Sequence, residues 1–407
     1  MIPTFALAHQ LKNEGYKVHY FGIADAMQAV QKEGFETHTV FETQFPLGGD
    51  ISGASKSDLI QLMLQGELDD LMRKLSPDII ITTAHNPLET LILHYIYQIK
   101  TVLFWTYLPS SQYIEQASES PFVHMMQSDV QLMLFGHFPE EELQRLKDFI
   151  QAKGIAINEP QDIVKPFQEF SHFIACSKGF IPQKIENQTN EIYVGPCIVE
   201  HHLFELPEDT ALQNLLEKSK SEETQILYVS LGTVLTKTAP KKAFHIFKAL
   251  MDAMKYEKMK GYELILVAGD LYDLLQKFRP PANVHIYSWL PQVQLLKHVS
   301  LVITPGGMNS VKECIDAKVP MIVIPSGADQ FENAKIITHH QLGIVLEPNN
   351  RKSNSFVEAI TTVLHSETIL SNVQKMHADF EQCTNAQNGL KHIESLLETE
   401  KEIQEKY

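Results

Sequence analysis

Thr304-Pro305-Gly306-Gly307-Met308-Asn309-Ser310-Val311-Lys312-Glu313 is the stretch whose reading decides the fold. It follows a short β-branched run, Leu301–Thr304, and leads into a segment where Val311, Cys314 and Ile315 share one helical face. A buried strand, a two-glycine turn and an amphipathic helix form the unit from which layered α/β sheets are built. Two glycines at that junction let a ligand approach the backbone closely. The free N–H groups and the positive dipole end of the helix then suit a diphosphate. The same residues support a plainer reading, because Ser310-x-x-Glu313 is an ordinary capping box and the glycines can serve the turn alone.

Working outward, short apolar runs alternate with amphipathic segments along the whole chain, the pattern of α/β layers over mostly parallel sheets. Strands are expected at Lys17–Phe21, Asp78–Thr82, Thr101–Tyr107, His172–Cys176 and Glu191–Val194. In the second half they are expected at Gln225–Leu231, Glu263–Ala268, Val284–Tyr287, Leu301–Thr304, Pro320–Pro325 and Gly343–Leu346. Helical patterns cover Lys56–Leu75, Glu140–Ile150, Lys241–Lys255 and Ser353–Leu364. No self-repeat of roughly 20–50 residues is visible, which argues against a solenoid. Pro46–Ser57, rich in Gly and Ser, and Pro109–Pro121, rich in Ser and Gln, read as long functional loops.

A chain of 407 residues is too long for one ordinary core and fits two domains of roughly 200 residues each. The expected division is 1–205, 206–385 and a charged C-terminal helix over 386–407. The polar stretch Glu200–Thr224, with a helix candidate at Thr210–Lys218, marks the boundary. Thr4–Asn13 already reads as a helix, with Leu7 and Leu11 on one face. A Rossmann-like half normally begins with a strand central to its sheet, which here would lie before residue 1. Without it, two neighbouring strands keep unpaired edges.

Hydrophobic residues make up 44% and charged residues 21% of the chain, the composition of a soluble globular protein. A formal net charge of −16 argues against a general nucleic-acid or anionic-membrane binder. A phosphate site built from backbone N–H groups remains compatible with that charge. Cys176, Cys197, Cys314 and Cys383 form no CxxC pair, as expected for mostly buried thiols in a reducing compartment. No run approaches the ~20 apolar residues that span a bilayer, and no signal peptide opens the chain. A cytoplasmic enzyme is expected, with at most transient contact with a membrane surface.

Two further pieces are ambiguous alone. Asp329-Gln330-Phe331-Glu332 reads as a second capping box, and Trp289 before Leu290-Pro291-Gln292 as a core aromatic or a platform for a nucleobase. Their joint spacing is more specific. Trp289-Leu290-Pro291-Gln292, Leu295, His298, the Gly306-Gly307 turn, Glu313, Val319-Pro320, Asp329-Gln330 and Asn333-Ala334 together resemble the donor-binding signature of the UDP-glycosyltransferase superfamily. Ser230-Leu231-Gly232-Thr233 resembles the loop after the first strand of that family's second domain. The likeness is strong over roughly 225–334. In the first half it is weaker, resting on Pro3-Thr4, the Ala6–Tyr20 pattern, Ser76-Pro77-Asp78 and Gly195-Pro196.

The resemblance implies a GT-B fold, with two Rossmann-like domains facing across a cleft, and hexose transfer from a UDP-sugar with inversion. It implies no metal and no cofactor, the UDP-sugar being a co-substrate. Trp289 would stack on uracil, Gln292 would contact the nucleoside, and Glu313 would accept hydrogen bonds from the ribose hydroxyls. Asn309 and Ser310, with Gly232 and Thr233 and the turn Gly306-Gly307, would hold the phosphates. Asp329 and Gln330 would grip sugar hydroxyls. The acceptor implied is a small, partly apolar, hydroxylated molecule of the secondary-metabolite, carotenoid or macrolide kind.

Three positions depart from the family pattern. Pro305 replaces a phosphate-contacting histidine and has neither side-chain donor nor N–H. Met1-Ile2-Pro3 matches only the tail of the turn that carries the base histidine, so that histidine would fall just before Met1. Such a base is worth about 10²–10⁴-fold in rate. The aspartate that orients it aligns with Thr83, two residues before His85, the one substitute base the loop offers. A rival expectation is therefore a UDP-sugar-binding homologue with little or no transfer. A nucleotide-sugar epimerase is a third reading, but no acid and base pair stands at a telling spacing.

Overall fold

The computed structural model describes residues 3–48, 56–109, 120–136, 140–181, 190–199, 205–220, 224–347 and 352–404. The chain divides into two compact units, one of residues 1–175, 185–199 and 387–407, the other of 176–184 and 200–386. The short segment 176–184, expected in the first domain, clusters with the second unit, and the C-terminal helix clusters with the first.

The second unit is built on one six-stranded sheet. Its strands are β7 (Gln225–Ser230), β8 (Tyr262–Val267), β9 (Val284–Tyr287), β10 (Leu301–Thr304), β11 (Met321–Val323) and β12 (Gly343–Val345). The spatial order is β12-β11-β10-β7-β8-β9, and every pair is parallel. Ile226, Leu227 and Val229 in β7 and Leu301 and Ile303 in β10 are fully buried. Continuous apolar runs of this kind are what a parallel sheet needs, because helices cover both of its faces.

The first unit holds β1 (His19–Gly22), β2 (Glu36–Thr39), β3 (Ile79–Thr83), β4 (Lys100–Trp105), β5 (Ser171–Ile174) and β6 (Glu191–Tyr193). They form a parallel pair β1-β2 and a parallel four-stranded sheet β3-β4-β5-β6. No ladder joins β1 to β3 among the described residues, and both strands are only partly buried. In the second unit, by contrast, β7 is flanked by β8 and β10 and buried along most of its length.

Alternation sorts the side chains of β4 and β5 onto two faces. Val102, Phe104, Phe173 and Ala175 pack with Leu7 and Leu11 of the first helix, Thr4–Asn13, and with Leu390 and Ile393 of the C-terminal helix, Asn388–Gln404. On the other face, Trp105 meets Phe122 edge-on at 4.8 Å. Its indole N–H donates to Nδ1 of His172 at 3.0 Å, and His172 Nε2 donates to the Phe167 carbonyl at 2.9 Å.

Those two bonds fix His172 as the neutral Nε2–H tautomer. Burial pushes its pKa down to about 4, with the Phe167 bond opposing. The unfolded chain therefore binds this proton more readily than the folded one. The resulting stability is complete above about pH 6.5 and is lost as the pH falls from there towards 4. The amount at stake is about 3 kcal/mol. Urea titrations between pH 7 and 4 should show a fall in stability, and His172→Gln should lose part of that slope. An unchanged slope would refute the assignment.

Three sequence expectations are corrected. The single helix at Lys56–Leu75 is two, Lys56–Leu64 and Asp69–Leu75, broken at Gly66, whose φ is +88°. Strand β2, Glu-Thr-His-Thr, was not expected, because its polar letters give no apolar alternation. A helix at Pro121–Gly136 directly follows the expected loop Pro109–Pro121. Most of that loop, 110–119, and 49–55 of the Pro46–Ser57 loop lie outside the described residues.

Candidate functional site

The register of β7 against β10 pairs Tyr228 with Val302 and Val229 with Ile303. Their carboxyl ends therefore lie side by side, which sets the turn at Gly232 abreast of the turn at Gly306. This is where parallel α/β sheets bind ligands. Gly306 has φ +86°, and a Cβ there would sit 2.6 Å from Val323 Cγ1, so the turn itself demands glycine. At Gly307 a Cβ would meet nothing within 4 Å, so open space lies over that backbone.

Helix Met308–Asp316 starts after Gly307 and has no side-chain cap. Ser310 is thus inside its first turn rather than capping it, which excludes the plain capping-box reading. The Gly306 N–H is held by Thr304 Oγ1 at 3.2 Å and the Met308 N–H by Asp329 Oδ2 at 3.1 Å. The amides of Asn309 and Ser310 remain as the first-turn donors for an anion.

Asp329 precedes helix Gln330–His339 but makes no cap bond to it. Its Oδ2 instead takes Met308 N–H and the Asn333 amide, the latter at 2.9 Å. Buried Asn333 also donates to the Gly306 carbonyl at 2.9 Å. One carboxylate and one carboxamide thereby tie the glycine turn to the next helix. Gln330 Oε1 accepts from the Ser326 and Gly327 amides at 2.8 and 3.2 Å, holding the loop just before it.

On the other side of the turn, Gln292 Nε2 donates to Ser310 Oγ at 3.1 Å and to Glu313 Oε2 at 2.5 Å. Because a carboxylate only accepts, the amide nitrogen must face Glu313, and Gln292 Oε1 receives the Tyr228 hydroxyl at 3.2 Å. Burial pushes the Tyr228 pKa up, with a hydrogen bond from Ser230 opposing and the Glu313 charge reinforcing. The phenol stays protonated and donates.

Trp289 is 55% exposed, which rules out the core-aromatic reading. Gly232, φ +68°, opens helix Gly232–Thr238, whereas the Thr233 side chain lies outside what is described. Pro305 is buried at the turn. In the first unit, His85 follows β3. Its Nε2 bonds Thr106 Oγ1 at 3.0 Å, and its ring lies 4.8 Å from Tyr107. Thr83 ends β3. Among the described residues, no group of three or more His, Cys, Asp or Glu is placed to hold a metal, and no helix is long and apolar enough to cross a membrane.

Sequence reasoning assigned no role to Tyr228 or Asn333. The only signal for Tyr228 was a phenol inside a core strand, whose hydroxyl must find a partner.

Residues 206–380 match the family model described as UDP-glucoronosyl and UDP-glucosyl transferase. The chain is 24% identical over 403 residues to the NDP-glycosyltransferase YjiC of Bacillus subtilis (strain 168), covering 97% of this chain and 94% of that protein. It is 28% identical over 182 residues to the uncharacterized UDP-glucosyltransferase YdhE of the same strain, covering 45% of this chain and 44% of that one. Among solved structures, the glycotransferase of kitacinnamycin superposes with a TM-score of 0.72 at 17% identity, over 97% of this chain and 95% of the other. The calicheamicin glycosyltransferase CalG4 gives 0.70 at 17%, over 98% and 94%. The parallel α/β units with a glycine turn at adjacent strand ends, the matched domain and the full-length likeness converge: residues 206–380 are a domain of the UDP-glucoronosyl and UDP-glucosyl transferase family, in a chain with the GT-B fold.

Proposed function

We propose that the protein transfers a hexose from a UDP-sugar to a hydroxyl of a small, partly apolar acceptor, with inversion at the sugar carbon. The observation that carries this reading is the arrangement around helix Met308–Asp316. The first turn, with Asn309 and Ser310, has no side-chain cap, space is open beside Gly307, and a Glu313 carboxylate is held by Gln292. In this reading Trp289 stacks on uracil, Glu313 takes ribose hydroxyls, and Gly232, Thr233, Asn309 and Ser310 receive the diphosphate. Asp329 and Gln330 hold the sugar with the capacity their loop bonds leave. The acceptor oxygen forms a bond to the anomeric carbon as the bond from that carbon to the diphosphate oxygen breaks, and the hydroxyl proton passes to solvent or to His85, the candidate base. The leaving charge then develops against pre-aimed backbone donors. No disulfide joins any of the four cysteines among the described residues, and in this reading the protein works in the cytoplasm.

One observation favours a second reading, a UDP-sugar binder with little transfer. Pro305 brings no donor to the leaving group, and His85, the substitute base, is engaged with Thr106.

Titration calorimetry with UDP and UDP-glucose tests the donor site, and both should bind in the micromolar range, roughly −8 kcal/mol. Absence of heat at millimolar ligand would overturn both readings. Product analysis with a panel of hydroxylated acceptors then separates them, since a β-configured product from an α-linked donor supports transfer with inversion.

A further inference from the structure

We propose that Tyr228 is a positioning residue for donor choice: through Gln292 it fixes Glu313 so that the site favours a ribonucleoside diphosphate over its 2′-deoxy counterpart. The inference rests on the donor-site reading above. Tyr228 lies in β7, 1% exposed, one strand away from the helix that carries Glu313. Its hydroxyl donates to Gln292 Oε1, which leaves both amide hydrogens of Gln292 for Ser310 and Glu313.

A carboxamide can rotate by half a turn with little change of shape, exchanging its oxygen and nitrogen. Rotated, it would present an oxygen to the Glu313 carboxylate, two acceptors facing one another. That repulsion keeps the amide nitrogen towards Glu313, and the oxygen thereby turned to Tyr228 accepts the phenol proton. The buried hydroxyl therefore anchors a carboxamide that the carboxylate has oriented. The relay ends on a carboxylate whose natural partners are vicinal hydroxyls.

A nucleotide lacking the 2′-hydroxyl leaves such a carboxylate under-satisfied, whereas one carrying it is rewarded only if the carboxylate is held still. The Tyr228 hydroxyl itself touches neither Trp289, proposed for the base, nor the first-turn amides proposed for the phosphates. Tyr228 should thus influence one feature of the nucleotide, the sugar hydroxyl, and leave the others alone.

The experiment compares UDP with 2′-deoxyuridine diphosphate by calorimetry on the full chain. The wild type should bind UDP about tenfold more tightly, the worth of one charge-assisted hydrogen bond. Tyr228→Phe should lower UDP affinity about three- to tenfold while leaving the deoxy analogue within twofold, so that the ratio collapses. Gln292→Ala should lower UDP affinity at least as much, and adding Tyr228→Phe to it should cost nothing further, as members of one relay behave. Equal weakening of both nucleotides by Tyr228→Phe would show a merely structural role and overturn the inference. So would equal binding of the two nucleotides by the wild type, which would leave the donor site itself intact. Failure of the wild type to bind either nucleotide would overturn the donor-site reading and this inference with it.

Discussion

Gly306→Ala is expected to destabilise the second unit by about 2–6 kcal/mol, read as a lowered urea midpoint, and to abolish UDP binding. Two costs add. A non-glycine residue at φ +86° carries backbone strain of about 1–3 kcal/mol. The new methyl must also push aside Val323, whose Cγ1 would stand 2.6 Å away, in a strand already fully buried, an overpacking cost of about 1–3 kcal/mol. Relief by a shift of the turn would drag the Gly306 carbonyl from Asn333 and the Met308 amide from Asp329. Gly307→Ala is the matched control. Its φ of −61° suits any residue and its Cβ meets nothing, so the midpoint should hold within about 0.5 kcal/mol. UDP affinity should nevertheless fall, because the methyl enters the space proposed for the diphosphate. Equal stability for the two variants would contradict the turn geometry, and undiminished UDP binding by Gly307→Ala would move the diphosphate elsewhere.

Trp289→Ala is expected to weaken UDP binding by about 1–3 kcal/mol, roughly five- to 150-fold, the range found for stacking a base on an aromatic ring. The same change should barely alter stability. A tryptophan that is 55% exposed contributes little to a core, unlike Trp105, which is fully buried. Calorimetry and urea unfolding on one preparation decide the matter. A large loss of stability with unchanged UDP affinity would return Trp289 to an ordinary packing role. Trp289→Phe should recover much of the binding, because it retains a flat face.

These expectations could be framed because the second unit was largely legible in the sequence. All six of its strands were anticipated, since parallel strands buried on both faces read as unbroken apolar runs. What stayed hidden was the pairing of polar groups distant in sequence. Asp329 looked like the cap of the helix it precedes, yet its carboxylate serves Met308, and only the fold brings those residues together. Ser310 and Glu313 looked like a capping box and are instead joined through Gln292. In the first unit, the polar strand β2 and the helix Pro121–Gly136 escaped, the former for want of apolar alternation. Short-range pattern reports burial well. It reports poorly on which of several hydrogen-bonding partners a polar side chain finally takes.

The C-terminal helix Asn388–Gln404 has a consequence for how the protein is made. Its Leu390 and Ile393 sit in the same cluster as Leu7, Leu11 and Phe104. A ribosome adds about 5–20 residues per second. The leading segment of the chain must therefore wait for the whole intervening unit, residues 200–386, before that cluster can close. The second unit can fold as it emerges, while the first holds an unfinished apolar face for tens of seconds. Synthesis from one end and closure from the other thus make the first unit the last to mature, and the stage at which chaperones would matter most.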